Sequence, residues 1–209
     1  MTYFDERARD WDSDPTRVER ARVVADAMRA ALPLTPGTTA LEYGCGTGLL
    51  SFALQSDFAS ITLADTSQGM LDVLADKIKS SGMDNFHPVR LDLASQPLPV
   101  FRFDVIYSLM TMHHLPETKK ILRNFHDILN PGGYLVIADL EKEDGSFHGP
   151  EVKDVHLGFD REDLRKQIDS AGFFKIKFST VFDVKKTVDG HEKSFPLFLM
   201  VAKKKALAR

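Results

Sequence analysis

Three glycines fall within five residues in Gly44-Cys45-Gly46-Thr47-Gly48, directly behind a short apolar run that closes on Glu42 and Tyr43. Backbone this bare serves either a tight turn or a ligand that comes too close to the main chain for a side chain to be tolerated. Carboxylates accompany it. Glu42 lies two residues before the first glycine, Asp65 follows the run Ile61-Thr62-Leu63-Ala64, and Asp92 follows Val89-Arg90-Leu91. The spacing G-x-G-x-G departs from the G-x-G-x-x-G of dinucleotide binders, and a pyrophosphate at a helix N-terminus is disfavoured by an adjacent carboxylate. A ligand with an α-ammonium group is favoured by it. A carboxylate ending the second strand accepts two charge-assisted hydrogen bonds from a ribose diol, and one ending the third suits the exocyclic amine of adenine.

Histidines supply the other candidate chemistry. His113-His114 offers a proton acceptor or a metal ligand. Adjacent loop residues seldom ligate one ion and no further Cys/His spacing supports zinc, so no metal site is expected. His113 is the candidate proton acceptor near a substrate, and His114 reads as a packed imidazole. His148 and His156 in a polar segment, and Tyr3 and Trp11 near the N-terminus, are candidate substrate contacts. Asp139 and Glu141 either touch substrate or are solvated. Cys45, the single cysteine, reads as a small residue filling the glycine loop; one cysteine forms no intrachain disulfide and suggests a reducing compartment.

These residues must be positioned by elements that alternate along the chain. Asp14-Pro15 reads as the capped start of a helix with Val18, Ala21, Val24, Ala25 and Met28 on its apolar side, broken by Leu34-Thr35-Pro36-Gly37. Apolar runs at 39–43, 60–64, 86–91, 103–107 and 134–138 then alternate with helical stretches at 49–56, 68–81 and 117–129. Near-continuous apolar strands separated by helices predict a parallel sheet covered on both faces. Residues 141–160 predict a long loop, 161–171 a helix, and 173–184 with 195–203 an antiparallel hairpin across Asp189-Gly190 at the sheet edge. The fold class is therefore α/β, a doubly wound Rossmann-like sheet of about seven strands in a single domain, mostly parallel with an antiparallel C-terminal hairpin. Its parts are an N-terminal helical lid (1–35), a ligand-binding core (37–139), a substrate loop (140–160) and the C-terminal helix and hairpin (161–209).

With 209 residues, 43% apolar and 27% charged, the chain has the make-up of a soluble globular domain. A formal charge of −3 and a pI near 6.2 give no general electrostatic reason to expect nucleic acid or anionic membrane as partner. Lys203-Lys204-Lys205 reads as a solvated tail. No secretory signal is visible and no apolar run approaches the ~20 residues that span a bilayer, so a cytoplasmic protein is expected.

The ordered set E-x-G-C-G-T-G, D-x-S, D-L, FDVIYSLMTMHHL and LRNFHDILNPGGYLVIAD resembles the class I S-adenosylmethionine (SAM)-dependent methyltransferases. The similarity is greatest to the small-molecule group that includes the ubiquinone/menaquinone biosynthesis methyltransferases, and it covers roughly residues 37–139. The resemblance implies SAM as cofactor and S-adenosylhomocysteine as product. It places Glu42, Gly44, Cys45, Gly46 and Gly48 around the methionine portion, Asp65 on the ribose with Thr66 and Met70 beside the adenosine, and Asp92 and Leu93 at adenine. Ser108 would offer its carbonyl to the α-ammonium group, and Pro131-Gly132-Gly133 would form the turn before the fifth strand. The base-methylation motif N/D-P-P-Y/F, a free nucleophilic cysteine and the protein-arginine signatures are not seen, so a small-molecule acceptor with an O, N or C nucleophile is expected. Two alternatives stay open: a non-catalytic SAM-binding subunit, and a nicotinamide-dependent oxidoreductase.

Overall fold

The computed structural model describes residues 3–149, 151–152 and 155–206. Positions 150, 153 and 154 of the expected substrate loop, and the first two and last three residues of the terminal segments, lie outside them. The N-terminal segment forms α1 (Tyr3–Arg7), a 3-10 stretch (Ala8–Ser13) and α2 (Pro15–Ala31). There follow β1 (Thr39–Tyr43), α3 (Leu49–Ala53), β2 (Ser60–Asp65), α4 (Gln68–Ser81) and β3 (Phe86–Arg90). Then come β4 (Phe103–Leu109), α5 (Thr118–Ile128), β5 (Leu129–Leu140), α6 (Arg161–Ser170), β6 (Phe173–Val188) and β7 (His191–Lys204).

The seven strands form one sheet in the order β3-β2-β1-β4-β5-β7-β6. β1 to β5 pair in parallel, and β7 runs antiparallel between β5 and β6. Apolar side chains from both faces pack beneath α5 and α6 on one side and beneath α2, α3 and α4 on the other. The expected doubly wound arrangement is therefore present, and its edge hairpin turns at Asp189 and Gly190, both at positive φ. The winding direction reverses between β1 and β4, the place where such sheets bind ligands beyond their carboxyl ends. The glycine loop leaves β1 at this point.

Three local expectations are corrected. β5 starts at Leu129, so Pro131-Gly132-Gly133 is a bulge inside the strand: the register passes from Phe103↔Leu129 to Val105↔Tyr134. Lys203 and Lys204 belong to β7 and are not a solvated tail. Lys204 Nζ donates to the carbonyls of His126 (2.6 Å) and Leu129 (2.9 Å), closing the C-terminal end of α5, and Lys203 lies over the Tyr134 ring. Val18 faces solvent at 44% exposure, and the buried side of α2 begins at Ala21.

Polar contacts dock the N-terminal segment over the glycine loop. Asp5 accepts from Ser67 Oγ (2.6 Å) and Gly69 N–H (3.0 Å) at the N-terminus of α4. A Cβ at Gly69 would meet the Asp5 backbone at 2.9 Å, so only glycine lets the two segments approach. Asp12 accepts from Thr47 Oγ1 and from Lys77 Nζ, which also donates to the Thr47 carbonyl (2.8 Å). Asp14 caps α2 by accepting from Thr16 N–H (2.9 Å), with Pro15 at the first helical position. Asp14→Ala removes that cap and costs about 1 kcal/mol. A thermal melt should show a midpoint lower by about 2–4 °C; an unchanged midpoint would mean that the cap contributes nothing to the seating of α2.

Candidate active site

The main chain of the glycine loop is tied to that of β2: Gly44 N–H and Cys45 N–H both donate to the Ala64 carbonyl (2.8 and 3.0 Å). Its glycines do different things. A Cβ on Gly44 would collide with Thr111, whereas one on Gly46 would meet nothing closer than Trp11 Nε1 at 3.8 Å. Gly46 is therefore glycine for its φ of +53° and for open space above it. Gly48 faces Leu74 beneath α4, where it permits close packing.

Above this loop lies a cavity of about 240 Å³. Glu42 and residues 43–47 form its floor; Asp65, Thr66, Met70 and Leu91 form one wall; Leu109, Met110, Thr111 and His114 form the other. Phe4, Trp11, Arg17 and Arg20 roof it. Of the expected contacts, Glu42, Gly44, Cys45, Gly46, Asp65, Thr66, Met70 and Trp11 line the cavity. Gly48, Asp92, Leu93 and Ser108 do not. Asp92 accepts from Ala94 N–H (2.8 Å) and Ser95 Oγ (2.6 Å) in its own turn, and Leu93 is buried with its N–H on Tyr43 Oη (3.1 Å). Ser108 is buried within β4, and the wall is made by the three residues after it.

Charge is distributed unevenly around this space. Glu42 is 2% exposed and accepts from Ser51 Oγ, which is also hydrogen-bonded to Tyr107 Oη (2.7 Å). Burial pushes the Glu42 pKa up to about 8, against the opposing hydrogen bond from Ser51. Asp65 is likewise raised by burial, although it accepts from Ser67 N–H (2.9 Å) and Gly46 N–H (2.7 Å). Arg20 brings the opposite charge. Its Nε is buried without a hydrogen-bond partner, and burial, then the neighbouring Arg17, lowers its pKa to about 10. Arg17 stacks on the Trp11 ring at 3.9 Å. Arg17 and Arg20 are one helical turn apart, and that spacing is the signal in the sequence for a shared basic face on α2.

A second cavity of about 220 Å³ adjoins the first and shares Phe4, Trp11, Arg17, Arg20, Met110 and His114 with it. Met110 sits at φ +55°, a strained value for a side chain of its size, and faces both spaces. Tyr3, His113, Phe147, His148 and Lys186 also line the second cavity. His113, His148 and Tyr3 thus meet the second cavity and not the first. His156 is held elsewhere: its Nε2 bonds the Leu115 carbonyl (2.9 Å), its N–H the His113 carbonyl (2.7 Å), and it fastens the long loop to the His113 turn.

Asp139 is fully buried, which corrects the solvated or substrate-facing reading. It accepts from His113 Nδ1 (2.6 Å), His113 N–H (3.3 Å) and Leu140 N–H (2.7 Å). Burial raises its pKa, but His113 and these hydrogen bonds outweigh that and hold it below the ordinary carboxylate value. Glu141 pairs with Arg161. Burial first, and then His113 and His148, lower His114 to about 3; burial, and then His113 and Lys186, lower His148 to about 4. Both imidazoles are neutral at pH 7.

Residues 41–135 match a family model described as a methyltransferase domain. The 27-O-demethylrifamycin SV methyltransferase of Amycolatopsis mediterranei is 28% identical over 133 residues, 62% of this chain and 48% of that protein. The ubiquinone/menaquinone biosynthesis C-methyltransferase of Vibrio campbellii is 32% identical over 111 residues, 51% of this chain and 43% of that protein. The chain spans about half the length of the curated relatives it matches. Among solved structures, Haemonchus contortus phosphoethanolamine N-methyltransferase 2, in complex with phosphomonomethylethanolamine and S-adenosylhomocysteine, superposes with a TM-score of 0.69. It is 16% identical, with 88% of this chain and 52% of that chain covered, so this likeness is one of fold. Among the described residues, no helix is long and apolar enough to cross a membrane.

The raised pKa of Glu42 has a sign that can be measured. Between its ordinary value of 4.5 and about 8 the folded chain holds a proton there that the unfolded chain has lost. Stability therefore falls as pH rises through that window. Glu42→Gln removes this dependence. Its melting midpoint is expected to match the parent near pH 4 and to exceed it by a margin that grows up to pH 8. A constant offset across the window would show that Glu42 titrates normally.

Proposed function

We propose, from the match of residues 41–135 to a family model described as a methyltransferase domain, that this chain transfers a methyl group from SAM to a small-molecule acceptor and releases S-adenosylhomocysteine. The observation that carries the cofactor assignment is the charge pattern of the first cavity. The buried carboxyl group of Glu42 and a guanidinium with an unpaired Nε, Arg20, line one cavity over bare backbone. That pattern complements the α-ammonium and α-carboxylate of an amino acid. Asp65 keeps lone pairs for a ribose diol after its two backbone bonds. Thr66, Met70 and Leu91 line the cavity with Asp65, whereas Asp92 and Leu93 do not, and we assign adenine to those three. A nicotinamide dinucleotide offers no ammonium group to donate to Glu42, and its pyrophosphate would meet a carboxylate.

The sulfonium carries its own activation, so the protein has to align the nucleophile with the methyl group and keep water away. The second cavity suits the acceptor: aromatic rings from Tyr3, Phe4, Trp11 and Phe147 surround it, and it shares a wall with the first. We assign the role of proton acceptor there to His113. Asp139 fixes its Nδ1–H, and its Nε2 is unpaired.

Isothermal titration of S-adenosylhomocysteine, methylthioadenosine and NADH into the parent and Arg20→Met tests the cofactor site. The parent should bind the first two and not NADH. Arg20→Met should lose about tenfold or more for S-adenosylhomocysteine, a charged hydrogen bond contributing about 1.5–3 kcal/mol, and nothing for methylthioadenosine, which has no amino-acid end. Equal losses for both ligands, or binding of NADH alone, would contradict the assignment.

A further inference from the structure

We propose that His113, His114 and His148 form a binding site for one first-row divalent metal ion of the zinc type, at the wall of the second cavity. Their ligating nitrogens all lie within 4.8 Å of one another. Sequence spacing argued against a third ligand; the long loop after β5 supplies it by folding His148 back over the His113-His114 turn, with ring centroids at 5.1 and 5.0 Å.

Two buried imidazole nitrogens here, Nε2 of His113 and Nε2 of His148, have no hydrogen-bond partner. Buried polar atoms are nearly always paired, so two orphans facing one cluster call for an occupant. The state of one of them is fixed. Asp139 accepts the Nδ1 proton of His113 at 2.6 Å, so the neutral ring presents a lone pair at Nε2. A carboxylate behind a histidine in this way orients the ring and raises its basicity toward a metal.

Three imidazoles with one open position are a recurrent zinc donor set. Tetrahedral ligation at 2.0–2.1 Å separates the nitrogens by about 3.4 Å, so closure needs ring movements of about an ångström. His148 lies next to Gly149 on a loop, outside the helices and strands that fix the other two. Arg17, Arg20 and Lys186 line the same cavity and oppose a bare dication. They favour an anionic oxygen as the fourth ligand: hydroxide or, resting on the methyl-transfer reading, an acceptor with an acidic hydroxyl or carboxylate. A lone pair bound to the ion is no longer a base, so in the metal-bound form His113 is a ligand and not the proton acceptor.

Cobalt(II) and zinc(II), added to the tag-free chain and followed by desalting and elemental analysis, test the site without cofactor or acceptor. One equivalent of metal per chain is expected, with the visible absorption of four-coordinate cobalt. Both should be lost in His148→Ala at an unchanged far-ultraviolet spectrum, and His114→Ala repeats the comparison should the first variant misfold. No stoichiometric uptake by the parent, or uptake that survives both substitutions and so marks an adventitious ion on other histidines, would overturn the proposal. Neither result depends on whether SAM binds.

Discussion

A carboxyl group buried at the end of β1 sets the terms for everything around it. Removing Glu42 from water costs several kcal/mol unless a cation or strong donors compensate. The fold supplies only part of this through the Ser51 hydroxyl, itself fixed by Tyr107 from β4. Ser51 lies on the short α3, so the entry of that helix, the glycine turn before it and the pairing of β1 with β4 converge on one side chain. The remaining deficit is a vacancy for positive charge. On the proposed reading, a ligand with an ammonium group beside the glycine backbone would fill it, and binding would then return Glu42 to its ionised form.

Around that floor the structure is arranged to exclude water. The N-terminal segment carries Trp11, Arg17 and Arg20 over the cavity, and its docking rests on a few charged contacts made by Asp5 and Asp12. Enclosure makes the charge of Arg20 more effective toward an anionic group than it would be in water. It also holds the two cavities side by side across Met110, whose strained backbone is kept by the bond from its N–H to the Ala138 carbonyl. Methyl transfer asks little more of a protein than such alignment.

Much of this was legible in the residues. Strand runs read at 39–43 and 60–64, and the helix at 68–81, fall on β1, β2 and α4, because continuous apolar runs and caps are local signals. The cavity floor was legible for the same reason: glycines and acids at strand ends have few other uses. What escaped notice depends on tertiary approach. Arg17 and Arg20 look like the solvated side of α2 until α1 and the 3-10 stretch fold that side inward. Asp92 carries a short-range signal that its own turn satisfies. Lys204 looks like tail because the carbonyls it caps belong to α5, far away in sequence. His148 joins His113 and His114 only through the path of the long loop.

The most direct test of the Glu42 account is proton release on cofactor binding. Titration of S-adenosylhomocysteine at pH 7, in buffers of differing ionisation enthalpy, measures it by calorimetry. A protonated Glu42 that meets the ligand's ammonium group must give up its proton, so the observed enthalpy should vary with the buffer and indicate release, and Glu42→Gln should abolish that dependence. An enthalpy independent of buffer, or the same release from Glu42→Gln, would contradict the account.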